Sequence, residues 1–95
     1  MYGSVGHLQI KPGRLNDIKR VIQELEDVPG VIAMNLISKD GSENEYCWMI
    51  EWADRHAHDA NANHIDFRAR QQRLLDMLAR APEWHSGEMV YSIPR

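Results

Sequence analysis

The sequence predicts an α+β fold with element order β-α-β-β-α-β: a four-stranded antiparallel sheet with its helices on one face. Three observations predict it. Tyr46, Trp48, Ile50 and Trp52 alternate with Glu45, Cys47, Met49 and Glu51, the period of a strand with two unlike faces. Leu15, Ile18, Val21, Ile22 and Leu25 recur three and four apart, the period of an amphipathic helix. Asp40-Gly41 lies between two strand-like runs, and both residue types tolerate the positive φ of a tight turn.

The elements follow in order. Residues 5–10 extend an apolar-leaning start from Tyr2 into a first strand, broken by Lys11-Pro12-Gly13. The first helix covers residues 14–26 and stops at Pro29-Gly30. Val31–Ser38 is the second strand, and a loop through Asn44 leads to the third, Glu45–Trp52. Asp54 is a good helix N-cap, because its short carboxylate can accept an orphan backbone N–H. Helical character then runs to about residue 80, with a possible break at residues 61–64, and buries Phe67, Leu74, Leu75 and Leu78. Pro82 ends it, and residues 88–93 read as a short final strand. This order is the split β-α-β, ferredoxin-like arrangement.

Length and composition narrow the function. Ninety-five residues suit one domain. A net charge of −3 with no basic stripe argues against nucleic acid as a partner. No apolar run approaches the ~18 residues of a membrane span, and no basic segment precedes an apolar core at the N-terminus. The single cysteine, Cys47, has no partner in the chain, so a cytoplasmic location is expected.

Sorting strand residues by parity gives two faces. Leu8, Ile10, Ile32, Met34, Leu36, Tyr46, Trp48, Ile50, Trp52, Met89, Tyr91 and Ile93 should lie under the helices. The other face holds Val5, His7, Gln9, Val31, Ala33, Asn35, Ile37, Cys47, Met49, Glu51 and Val90. It is too apolar for a face in water, and a second copy of the chain is the simplest cover. A homodimer through this face is therefore expected.

Several short motifs now combine: Lys11-Pro12-Gly13 before the first helix, Pro29-Gly30-Val31 before the second strand, and Glu51-Trp52-Ala53-Asp54 at a strand-to-helix join. Residues 57–60, Phe67, Trp84 and Gly87-Glu88 continue the series. In this order the chain resembles the dimeric α+β barrel proteins of the antibiotic biosynthesis monooxygenase superfamily along nearly its whole length. The resemblance implies a dimer of two facing sheets, with a ligand pocket in each subunit between sheet and helices. It also implies candidate activities: oxidation of electron-rich phenols or quinols by O2 without metal or flavin, or haem degradation. The quinol-oxidising branch often reads His-x-x-Ser/Thr-x-His-Phe, and the matching positions here are Asn61, His64, Asp66 and Phe67, of which only the Phe is kept. Where the haem-degrading branch has its iron-binding His this chain has Gln71. Its asparagine and tryptophan match Gly6 and Asn61, so haem is not expected as a cofactor.

The densest polar stretch, "EWADRHAHDANANHIDF", contains His56, His58 and His64. His56 and His58 are about 200° apart around a helix and cannot converge on one ion, so no metal is expected. Histidine titrates near neutral pH, which makes His64, three residues before Phe67, the candidate general base at a pocket margin. His58, Asn61 and Phe67, with Tyr46, Trp48 and Tyr91 from the sheet, are the candidate ligand-binding residues, since a flat apolar ligand needs aromatic walls and few polar groups. Trp52 reads as core and Trp84 as a plug at its end. His7 reads as an interface residue, and His56 and His85 as solvated. Arg68, Arg70, Arg73 and Arg80 form a solvated helix face, with Arg68 able to reach a pocket rim. The expected function is that of a cofactor-independent monooxygenase-like protein that binds a small aromatic or polyketide-like molecule between sheet and helices, with oxidation of that molecule as the candidate reaction. The alternative is a non-catalytic dimer that binds such a molecule or serves as a scaffold.

Overall fold

A computed structural model describes residues 1–94. The elements are β1 (Tyr2–Gln9), α1 (Leu15–Glu24), β2 (Val31–Ser38), β3 (Glu45–Trp52), α2 (Arg55–Ala62), α3 (Phe67–Asp76) and β4 (Glu83–Glu88). The sheet has the order β2-β3-β1-β4 and every neighbouring pair is antiparallel. This is the expected ferredoxin-like fold, with three helices rather than two.

β2 and β3 keep the bounds the sequence predicts. Gly41 takes φ 79° at the β2–β3 turn, where the Lys39 N–H donates to the Glu45 carbonyl at 3.0 Å. The long helical segment breaks at residues 63–66. Asp54 caps α2, its Oδ1 accepting the Ala57 N–H at 2.8 Å. Gly30, at φ 86°, accepts the Ala53 N–H at 2.7 Å and so ties the start of β2 to the start of α2.

The core lies between the sheet and the helices. Ile18 and Val21 of α1, Leu25 at its C-cap, and Leu74 of α3, with Leu78 beyond it, bury against Leu8, Trp48, Ile50 and Trp52. Arg73 of α3 donates through Nη1 to Glu24 of α1 at 2.9 Å, bracing the helix layer across its exposed side.

Three expectations are corrected. The last strand is Glu83–Glu88, not residues 88–93. Val90, Tyr91 and Ile93 are 95%, 75% and 80% exposed, because no neighbouring strand accompanies the chain beyond Met89. Ile32 points outward and Val31 packs on the core instead, because a bulge between Val31 and Ala33 inserts one residue and reverses the parity. Trp84 does not plug the core end; it sits on β4, 45% exposed.

The other sheet face is open. Val5, Cys47 and Glu51 are half-buried there, and His7, Ala33, Asn35, Ile37 and Met49 are exposed. Among the described residues no helix is long and apolar enough to cross a membrane.

Candidate functional site

The inward face of β1 explains why a cavity exists. Tyr2 and Leu8 fill its two ends, but Ser4 and Gly6 between them are small. Gly6 pairs with Trp48 on one side and Trp84 on the other. The two indoles meet edge to face, centroids 5.6 Å apart, and a Cβ on Gly6 would sit 2.7–2.9 Å from three carbons of the Trp84 ring. The missing side chain is what lets Trp84 fold across the strand.

The space left is a cavity of about 280 Å³ between the sheet and the helices. Trp48, Trp84, Ile50 and Trp52 form its sheet wall; Val21, Leu25, Phe67 and Leu74 supply apolar surface from the helices. Polar groups are few. Ser4 and Ser86, opposed in register, join through their hydroxyls at 3.0 Å, and the Trp52 Nε1–H donates to Ser4 Oγ at 3.3 Å. His58, Asn61, Arg70 and Gln71 line the helix side. Trp48 Nε1 is buried with no hydrogen-bond partner among the described residues, which costs about 1–3 kcal/mol unless a partner arrives.

His58 is held between two aromatic rings and a carboxylate. Its ring lies 5.1 Å from that of Tyr2 and 5.6 Å, at 90°, from that of Trp52. Its Nδ1 is 2.9 Å from Asp59 Oδ1. That hydrogen bond holds the Asp59 carboxyl below its ordinary value against the opposing effect of desolvation, with the charge of Arg55 adding to the lowering. An ionised carboxylate only accepts, so the hydrogen of this bond sits on Nδ1 and the neutral ring keeps its lone pair on Nε2. The arrangement is that of an oriented base.

The structure brings four of the sequence-predicted residues together at the cavity: Trp48, His58, Asn61 and Phe67. It does not bring the other three. His64 lies in the break between α2 and α3, 55% exposed, its Nδ1 accepting the Asp66 N–H at 3.1 Å. The expectation that it reaches the pocket margin assumed one helical phase through to Phe67, and the break resets that phase. Tyr46 is half-buried at the far end of β3, its hydroxyl donating to the Glu43 carbonyl at 3.4 Å. Tyr91 lies past β4 in the exposed tail. Sequence reasoning missed Ser4, Ser86, Trp84, Arg70 and Gln71 as cavity residues, and Arg70, not Arg68, is the arginine that reaches it.

The sequence model for antibiotic biosynthesis monooxygenases matches residues 1–73, most of the chain and twelve of the fifteen residues lining the cavity. The chain belongs to the antibiotic biosynthesis monooxygenase family. Its fold is similar to that of SnoaB, a cofactor-independent oxygenase from Streptomyces nogalater, at 15% identity and TM-score 0.84, over 99% of this chain and 97% of that one. It is similar to a solved antibiotic biosynthesis monooxygenase at 17% identity and TM-score 0.77, over 96% and 100%. A conserved protein from Methanosarcina mazei Go1 is similar at 19% identity and TM-score 0.76, over 90% and 89%. At such identities these likenesses establish the fold. No curated protein matches the chain by sequence. Within the family fold, α2, α3, β3 and the β1–β4 pair hold most of this chain's cavity groups.

Proposed function

We propose that this family member is a cofactor-independent oxygenase acting on a small hydroxyaromatic, with His58 as the general base. The observation that carries the reading is the His58–Asp59 pair at the wall of an apolar, indole-lined cavity. A cavity of about 150 Å³ holds a benzene, so about 280 Å³ suits one or two fused rings. The ring system stacks on one of the two indoles, Trp48 or Trp84, and meets the other edge-on, and His58 Nε2 takes a phenolic proton while Asp59 stabilises the resulting imidazolium. The phenolate is the electron donor. One oxygen atom of O2 becomes bonded to the ring carbon and the other leaves as water, the two hydrogens coming from the substrate. Similarity of fold to SnoaB supports this class of reaction.

Oxygen uptake with a panel of hydroquinones tests it. Wild type consumes O2, His58→Ala loses about 10²–10⁴-fold of the rate, as expected for removal of a general base, and His64→Ala behaves as wild type. A His58→Ala protein that matches wild type would falsify the assignment. Saturable binding without uptake would favour the binding-protein reading instead.

The same proposal includes a homodimer through the open sheet face, where Ile37 and Met49 stand 51% and 40% exposed beside Val5 and Cys47. Contiguous apolar surface of this kind marks an interaction site, and a twofold pair needs only one self-complementary patch. Light scattering should give about twice the 11.0 kDa of one chain, and Met49→Glu should return it to one. A wild-type mass near 11.0 kDa at micromolar concentration excludes the dimer. A cytoplasmic setting is in keeping with the free Cys47 thiol.

A further inference from the structure

Among the described residues lining the cavity there is no carboxylate, and there is one fixed positive charge, Arg70. Its Nη2 donates to Asn61 Oδ1 at 2.7 Å. Asn61 is neutral, so this bond positions the guanidinium without neutralising it. Arg14, Arg20, Arg55, Arg73 and Arg80 each meet a carboxylate within 4.0 Å; Arg70, although half-buried, meets none among the described residues. A guanidinium offers five N–H donors in a flat fork, and this one spends one of them within the described residues on a neutral acceptor. The fork matches a carboxylate, and the pairing strengthens where apolar walls exclude water.

We infer that Arg70 is an anion subsite and that the cavity selects aromatic carboxylates over their neutral isosteres. This rests on the cavity reading above and names its substrate class. Asn61 follows His58 by one turn of α2, and Arg70 reaches it from α3, so base and anion subsite share the helix side. The indoles of Trp48 and Trp84 face them from the sheet. A ring packed against those indoles, stacked on one and edge-on to the other, can present its carboxylate to Arg70 and its hydroxyl to His58. A purely bracing role for Arg70, tying α3 to α2, makes a different prediction: its loss would weaken binding of charged and neutral ligands alike.

The test is calorimetric titration at pH 7 with 2-naphthoate and with 2-naphthamide, which has the same shape and no charge. Wild type should bind the naphthoate about tenfold more tightly or better, the scale of a charge-assisted pair. Arg70→Gln keeps a donor for Asn61 and removes the charge; it should bind both probes equally, at the wild-type affinity for the amide. Arg68→Gln, an exposed arginine outside the cavity, should keep the wild-type ratio and so exclude a general charge effect. Equal binding of the two probes by wild type overturns the inference and leaves the cavity reading standing. Loss of both probes equally in Arg70→Gln also overturns it, in favour of the brace. Failure of wild type to bind either probe overturns both.

Discussion

Gly30→Ala tests how the site is held in place. Two independent penalties meet at this residue. Its φ of 86° lies in the left-handed region, where a Cβ costs about 1–2 kcal/mol. A Cβ there would also collide with the Cβ of Ala57 on α2, with the Ala57 Cα only 3.6 Å away. Both are backbone-anchored, so neither can rotate aside. Overpacking of this kind costs about 1–3 kcal/mol. Together they put the loss near 3 kcal/mol, a large part of the roughly 5–15 kcal/mol that holds a small domain together. At about 4–8 °C per kcal/mol, the melting temperature should fall by about 12–24 °C. The functional effect follows from position. To regain the ~3.5 Å that carbon atoms need, α2 must back away from β2 by about 1 Å, and His58, the next residue after Ala57, moves with it. With His58 as the proposed base, displacement by that much should lower the oxidation rate about 10²-fold. The companion change Ala57→Gly removes the collision but not the φ penalty, at about 1 kcal/mol for a glycine within a helix. A double-mutant cycle by thermal and urea unfolding should therefore show a favourable coupling of about 2 kcal/mol between the two substitutions. Coupling within about 0.5 kcal/mol of zero would refute the idea that the Gly30–Ala57 contact sets the depth of α2.

Gly6→Ala should push Trp84 off β1 and open the cavity wall. Trp84 is 45% exposed and can yield outward, so the loss should sit near the low end of overpacking, about 1 kcal/mol. Unfolding temperature and quenching of tryptophan fluorescence by 2-naphthamide report it, and an unchanged melt with unchanged quenching contradicts the packing described. The pH dependence is also fixed in sign. Asp59 has a folded pKa lowered from 3.8 by His58, so its contribution to stability is present above the unfolded value and is lost as pH falls through the folded one. Carboxyl NMR should find Asp59 titrating below 3.8 in wild type and moving up in His58→Ala; an ordinary wild-type value removes the argument for an oriented His58.

Much of the fold was legible because its signals are local. β3 alternates cleanly over its eight residues, β2 is an apolar-rich run bounded by Pro29-Gly30 and Asp40-Gly41, and α1 carries its apolar stripe at helical spacing. The last strand was not, for a reason in the residues themselves. Glu83–Glu88 has one large apolar residue, Trp84, and otherwise reads as polar loop, whereas residues 89–93 have strand-like alternation. Strand formation needs a partner, and β1 offers its edge from Tyr2 to His7 to residues 83–88 and nothing beyond Met89. Propensity cannot see which edge is available. The bulge at Ile32 hides in the same way, since parity alone assumes an unbroken register.

The site was half legible, and the missed half has a common cause. Composition alone points to chemically rich residues, and the histidine-dense stretch points to His64. A cavity, however, is made by what is absent. On β1 the inward positions read Tyr2, Ser4, Gly6 and Leu8, and two small residues in succession in an otherwise apolar core face leave volume that a close-packed interior would fill. That gap, opposite the indoles of Trp48 and Trp84, locates the cavity. Once the cavity is located, the helix residues sort themselves. His58, Asn61 and Arg70 are the polar side chains of α2 and α3 that reach it together with Gln71, and His64, in the turn between those helices, is directed to its own local hydrogen bond. The polar side chains could then be chosen by the void they border rather than by their abundance in a stretch of sequence.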